Sequence, residues 1–259
     1  MSKQKLHITI AIASMMGLFA TTATAEESGL SIGGDIGMAS QYVWRGAMQK
    51  GTAAVQGDVS LSYDGFSTSA WFSNSYISPD PQSAGKEVVE FDFTADYSGS
   101  VGDLGYSVGG IYYTYMRDSN SNFGEVYGGI SYDAVVSPSL TVYYTAKGVT
   151  SGFYKTGDLW VDLGLSTSVA GFDISGTASY VKWKKDVTNR PTVAGFNQYK
   201  NGFSLVQLGI SKDIAVADTT ITPSITFYVP TIGKSSDGNR YIYATKATNE
   251  FVASVNIAY

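Results

Sequence analysis

The stretch Asn249 to Tyr259, N-E-F-V-A-S-V-N-I-A-Y, decides how the rest of the chain is read. In an extended strand successive side chains point to opposite faces, so Phe251, Ala253, Val255, Ile257 and Tyr259 share one face and Val252, Ser254, Asn256 and Ala258 the other. One face is apolar and the other mostly small or polar. A strand of this kind with nothing after it leaves an unpaired edge, which is an aggregation hazard unless another strand covers it. The first strand of the chain is the candidate partner, and pairing the two closes a barrel.

Working outward, the opposite end reads as an export signal. Lys3 and Lys5 precede the apolar run Ile8 to Ala20, and Ala23-Thr24-Ala25 supplies small residues before Glu26-Glu27. The run is short of the roughly 20 apolar residues that a membrane-spanning helix needs. We therefore expect residues 1–25 to be a removed signal peptide and 26–259 to form a single domain. Without Lys3 and Lys5, 15 basic residues face 22 acidic ones, a net charge of about −7, which speaks against nucleic acid as a partner. Cysteine is absent, so disulfides and thiolate chemistry are excluded.

Between the two ends no helical periodicity emerges. About twelve alternating runs of roughly ten residues are separated by turn chemistry. Asp64-Gly65 and Ala170-Gly171 read as tight turns, Asp-Gly being a strong hairpin signal. The fourth run is the clearest: Phe91, Phe93, Ala95 and Tyr97 alternate with Glu90, Asp92, Thr94 and Asp96. A charge facing lipid near the midplane costs about 2–4 kcal/mol for Lys or Arg, and less for Asp or Glu. The acidic face should therefore line a lumen. Parity is harder to fix in the fifth, sixth and eleventh runs, the last of which contains Pro223.

Connections alternate in length. Short ones fall at 64–65, 98–103, 134–138, 170–171 and 214–218; the others, mostly longer and polar, fall near 46–53, 76–87, 117–124, 148–157, 184–201 and 230–248. This is the pattern of an all-β, transmembrane, antiparallel up-and-down barrel of about 12 strands, with both termini periplasmic. The first strand is expected to run from about Leu30 to Trp44. Trp44, Trp160 and Trp183 are expected in an aromatic girdle at the long-loop rim, and Tyr259 at the opposite one.

The stretch Ser40-Gln41-Tyr42-Val43-Trp44-Arg45-Gly46, followed by Ala53-Ala54-Val55-Gln56-Gly57, resembles the opening of the TorF-like family of outer-membrane porins. The similarity continues through Gly65-Phe66 with Ala70 to Asn74, Glu90 to Tyr97, Ile111 to Tyr115 and Glu125 to Gly129. Beyond about Tyr144 the agreement is one of pattern. The resemblance implies an outer-membrane barrel of a Gram-negative bacterium and brings no catalytic residues with it. The final strand, ending on an aromatic residue, likewise resembles the signature by which such proteins engage the barrel assembly machinery.

The single histidine, His7, lies in the expected signal peptide, so the mature chain holds neither His nor Cys. That removes Ser-His-Asp and Cys-His catalysis and His or Cys metal sites, and no cofactor motif stands in a strand-to-helix context. A carboxylate-only enzyme would start from Glu90 and Asp92, but solvated lumen carboxylates are the simpler reading. Candidate lumen residues are Asp35, Asp58, Glu90, Asp92, Asp96, Asp162 and Asp173, with Arg45 and Lys147 as basic counterparts. An acidic lumen favours cations or small polar solutes, and about twelve strands make a narrow pore. Three readings compete: an open or gated channel, a barrel plugged by its own polar network or working through its loops, and a soluble exported barrel with its apolar face inside. A monomer with outer-membrane lipid as its surroundings is expected.

Overall fold

The computed structural model describes residues 29–77, 87–149, 154–185, 201–231, 240–242 and 245–259. The expected signal peptide, Pro79 and most of the 184–201 and 230–248 loops lie outside them. Twelve strands form the barrel: β1 (Ser31–Ala39), β2 (Ala54–Tyr63), β3 (Phe66–Ile77), β4 (Glu87–Val101), β5 (Leu104–Tyr115), β6 (Phe123–Tyr132), β7 (Ser137–Lys147), β8 (Leu159–Val169), β9 (Phe172–Lys182), β10 (Gly202–Ser211), β11 (Thr219–Pro230) and β12 (Glu250–Ala258). Each pairs antiparallel with its chain neighbour. The circle closes where β12 pairs with β11 on one side, Phe227 opposite Phe251, and with β1 on the other, Ile36 opposite Ile257. No edge of the final strand is left open.

Turn chemistry sets the register. Asp64 and Gly65 have φ of 47° and 82°, Ala170 and Gly171 of 53° and 76°; positive φ at both central residues is what lets a two-residue hairpin follow the twist of its strands. The connection expected at 214–218 is tighter than its sequence suggested, because Ile214–Val216 keeps pairing with β11 and the turn shrinks to Ala217-Asp218.

The alternation inverts the usual inside and outside. Ile32, Ile36, Val59, Leu61, Leu163, Ile210, Phe227 and Val255 are all exposed, and Phe93, Leu165 and Leu208 keep 51%, 57% and 52% of their surface open. Their in-between neighbours Gln56, Asp92, Asp162, Ser179, Thr226 and Asn256 are buried. Soluble monomers rarely expose contiguous apolar patches beyond a few hundred Å², and here the patch runs around the whole wall. A barrel kept soluble by a polar exterior is contradicted by this parity.

At the short-turn rim the exterior ends in rings. Tyr63, Phe66, Tyr97, Tyr106, Tyr132, Phe172 and Tyr259 are exposed there, with Phe66 and Tyr97 at 4.7 Å between centroids. This is a girdle of tyrosine and phenylalanine where tryptophan was expected at the other rim. Its sequence signal lies beside the turns themselves, in Tyr63-Asp64-Gly65-Phe66 and Ala170-Gly171-Phe172.

Candidate functional site

The first strand ends at Ala39, five residues before the expected Trp44. Beyond it the chain turns into the barrel as a small inner hairpin, Tyr42–Trp44 paired with Ala47–Lys50. Arg45 and Gly46 form its tip, with φ of 49° and 74°. A non-glycine residue at positive φ is uncommon, and the surroundings of Arg45 hold it there. The hairpin's root is tied to the closing strand: the Ser40 amide donates to the Ala253 carbonyl at 2.8 Å, the Ala253 amide to Ser40 Oγ at 3.1 Å, and Gln41 Nε2 to Glu250 Oε2 at 3.0 Å.

The tip carries a buried ion pair. Arg45, 3% exposed, donates through Nη1 and Nη2 to the two oxygens of Glu125 on β6, at 2.9 and 2.8 Å. This fork-to-fork geometry is the strong form of the arginine–carboxylate pair. Tyr113 Oη donates to Glu125 Oε2 at 3.1 Å, and Thr145 Oγ1 to Oε1 at 3.4 Å. The guanidinium lies 4.6 Å from the Trp44 ring, 4.8 Å from Trp160 and 5.4 Å from Tyr143, within range of cation–π attraction. Around Trp44 the aromatic packing continues: Phe123 stacks at 4.1 Å on both Tyr113 and Tyr154, and Trp44 meets Tyr154 edge-on at 5.0 Å. Hairpin and rings fill the lumen toward the long-loop side.

The acidic candidates divide by depth. Glu90 is 3% exposed and accepts from Tyr42 Oη at 2.9 Å. Asp92, at 1%, has no hydrogen-bond partner for either oxygen. Asp162, at 4%, accepts from Trp160 Nε1 at 2.8 Å and Ser179 Oγ at 2.6 Å. Asp96 is half-buried and accepts from Tyr127 Oη at 2.6 Å. Asp35 and Asp58 are half-buried cross-strand partners on β1 and β2. Asp173 is exposed at the short-turn rim, where it pairs with Ser168.

Four expectations are corrected. Lys147 does not face the lumen. A bulge between Gly124 and Glu125 lets Thr145 oppose Glu125 while Lys147 opposes Gly124, so an extra residue turns Lys147 outward, where its Nζ donates to Tyr112 Oη at 2.6 Å. Trp44, Trp160 and Trp183 form no outer girdle, being 5%, 2% and 5% exposed. Trp44 belongs to the inner hairpin, and Trp160 shares the inward parity of Asp162. Sequence reading missed Glu125, because the residue that anchors it lies 80 positions away.

These features define a class: a closed twelve-stranded antiparallel barrel, apolar outside and polar within, whose lumen holds an inward-folded hairpin. The chain matches over residues 23–250 the family described as "bacterial protein of unknown function (Gcw_chp)", and it belongs to that family. No curated protein matches it. Among solved structures it is similar to the outer membrane phospholipase dimer of Salmonella typhi with bound calcium, at 8% identity and a TM-score of 0.46, over 87% of this chain and 89% of that one. Outer membrane phospholipase A from Escherichia coli matches at 8% identity and 0.46, over 87% and 91%. A variant of OccD1 (OprD) matches at 9% and 0.42, over 91% and 66%.

Proposed function

We propose that this chain is a porin-like channel of the Gram-negative outer membrane, passing small polar solutes or cations through a narrow, acidic lumen that the inner hairpin holds closed. The observation that carries this reading is the contrast between the two ends of the lumen. On the short-turn side the wall is built from half-buried Ser60, Thr94, Thr141, Thr177 and Ser224, small hydrophilic side chains of the kind that leave room for water. On the other side the Arg45–Glu125 latch closes the path. The resemblance to the TorF-like porins supports the same reading. So does the apolar exterior, whose partner is membrane lipid, and β12, which suits recognition by the barrel assembly machinery. The mature protein, freed of residues 1–25, works as a monomer. With no histidine or cysteine beyond His7, a Ser-His hydrolase is not available to it, and the channel reading calls for no catalysis.

The filled lumen favours a second reading, a structural or adhesive barrel that does not conduct. Planar-bilayer recording separates the two. We expect the intact barrel to show rare openings, and a variant with residues 42–50 replaced by a glycine-serine linker to stay open with cation preference. Stable insertion of that variant without conductance at any voltage would refute the channel.

A further inference from the structure

We infer that the outer wall over β7–β9, at the long-loop rim, binds the headgroup of a phosphate-bearing membrane lipid through Lys147, Lys182 and Lys184; this rests on the membrane placement in the proposed function, not on conduction. Among the described side chains, exposed charge is sorted by rim. The exposed carboxylates Asp64, Asp103, Asp173, Asp213 and Asp218 all lie at the short turns. Lys147, Lys182 and Lys184 are exposed at the opposite rim, while the acidic side chains of that stretch, Glu125, Asp158 and Asp162, are buried. Among the described residues no carboxylate pairs with any of the three lysines. In a chain of net negative charge, this leaves a basic patch whose counter-charge must come from outside.

Strand parity puts the lysines outside. Trp183 is buried between Lys182 and Lys184, so its two neighbours face away from the lumen, and the bulge opposite Gly124 turns Lys147 outward. Leu159 pairs with Tyr144 on one side and with Lys182 on the other, which makes one outward row across β7, β8 and β9. Nearer the rim, Gly157 donates its amide to the Thr145 carbonyl at 2.9 Å, and a Cβ on Gly157 would lie 3.0 Å from Lys184 Cδ. The Lys184 stem therefore leans over β8 from the β9 side. Lys147 bounds the patch on β7; Tyr112 takes one of its ammonium donors, and an ammonium has three. Directly toward the midplane the wall turns apolar, with Tyr144, Leu163 and Leu165 exposed. Lysine suits such a border, since its stem lies along apolar surface while its head stays in the polar layer, and its ammonium binds phosphate as a point charge. A phosphate headgroup fits the lysines and its acyl chains fit the wall below them, a match that a soluble anion makes only in part.

The test counts lipids retained by the detergent-folded mature chain in native mass spectrometry, with dioleoylphosphatidic acid as the probe and dioleoylphosphatidylcholine as its zwitterionic counterpart. Phosphatidic acid should bind saturably and roughly tenfold or more tightly than phosphatidylcholine. Each lysine near an anionic lipid surface contributes about fivefold, so Lys147→Gln, Lys182→Gln and Lys184→Gln together should weaken phosphatidic acid on the order of a hundredfold. Heat-modifiable gel mobility reports whether the triple variant is folded, and the single changes carry the test if it is not. Lys212→Gln, at the short-turn rim, should leave binding as it was. Equal retention of the two lipids overturns the site, as does lysine-substituted protein that binds phosphatidic acid like the unsubstituted chain. Glycerol 3-phosphate, a headgroup without chains, should not compete at the same concentration; if it does, the ligand is a free phosphate ester and the lipid site is overturned. If phosphatidic acid is preferred and the hairpin-deleted barrel does not conduct, the site stands and the channel falls; conductance without that preference does the reverse.

Discussion

Replacing Arg45 by alanine should unlatch the inner hairpin. The guanidinium is 3% exposed and makes two bonds, 2.9 and 2.8 Å, to one carboxylate. Its loss leaves Glu125 inside the barrel with only Tyr113 at 3.1 Å and Thr145 at 3.4 Å. Breaking a buried pair from one side costs about 3–5 kcal/mol, mostly because the surviving charge is stranded. That cost falls on the docked hairpin alone, since both groups reach water once it swings away. The docked-to-undocked ratio should therefore fall by a factor of roughly 150 to 5,000. Single-channel recording should show this as a rise in open probability. A Met48→Cys substitution in the otherwise cysteine-free chain should gain reactivity toward a soluble thiol reagent in parallel. The double change Arg45→Met with Glu125→Leu removes both charges and should restore closure most of the way, because a buried pair exchanged for apolar groups is close to neutral. Unchanged open probability and unchanged labelling of the introduced thiol in Arg45→Ala would refute the latch. A double variant as open as the single one would show that stranded charge is not the cause.

Two further outcomes test the wall. Phe93→Arg places a cation on the apolar belt at a cost of about 2–4 kcal/mol if it lies near the membrane midplane, and should reduce the folded fraction in outer-membrane preparations, read by heat-modifiable gel mobility; Ser60→Arg, pointing inward, should assemble normally, and equal assembly of the two would mean that the parity is reversed. In detergent, Lys147→Met removes only an exposed contact to Tyr112, so it should change stability by less than about 1 kcal/mol and leave ion selectivity in bilayers of neutral lipid unaltered, whereas a shift in reversal potential would put Lys147 back in the lumen.

The strand faces were legible because they follow from period-two alternation, a local property. Phe91 to Tyr97 against Glu90 to Asp96 could be sorted without knowing any neighbour. The Asp64-Gly65 turn, with its strong local preference, was legible for the same reason, and Ala170-Gly171 through its glycine between two alternating runs. What sequence could not show is where the chain leaves the wall. Tyr42–Trp44 continues the apolar character of β1, and Arg45-Gly46 lacks the Asn or Asp that marks a common hairpin, so the stretch read as more of the first strand. The bulge at Gly124 and Glu125 was hidden too, since one extra residue leaves composition unchanged and reverses every face beyond it, as Lys147 shows. The tryptophans misled through size: a large aromatic suits a lipid interface or a packed lumen equally, and the choice depends on the guanidinium that Trp44 and Trp160 enclose. Glu125 and Arg45 meet only through the closed circle of strands.

The ties that pin the hairpin's root to β12, from Ser40 to Ala253 and from Gln41 to Glu250, bear on the order of events during biogenesis. The root spans the seam between the first strand and the last, the joint that joins the two ends of the longest stretch of chain. Until β12 arrives, the anchors for the hairpin do not exist, and Arg45 has no fixed path to Glu125. Docking of the hairpin is thereby coupled to closure of the circle, and a chain lacking its last strand should be cut by protease within residues 42–50 more readily than the full chain.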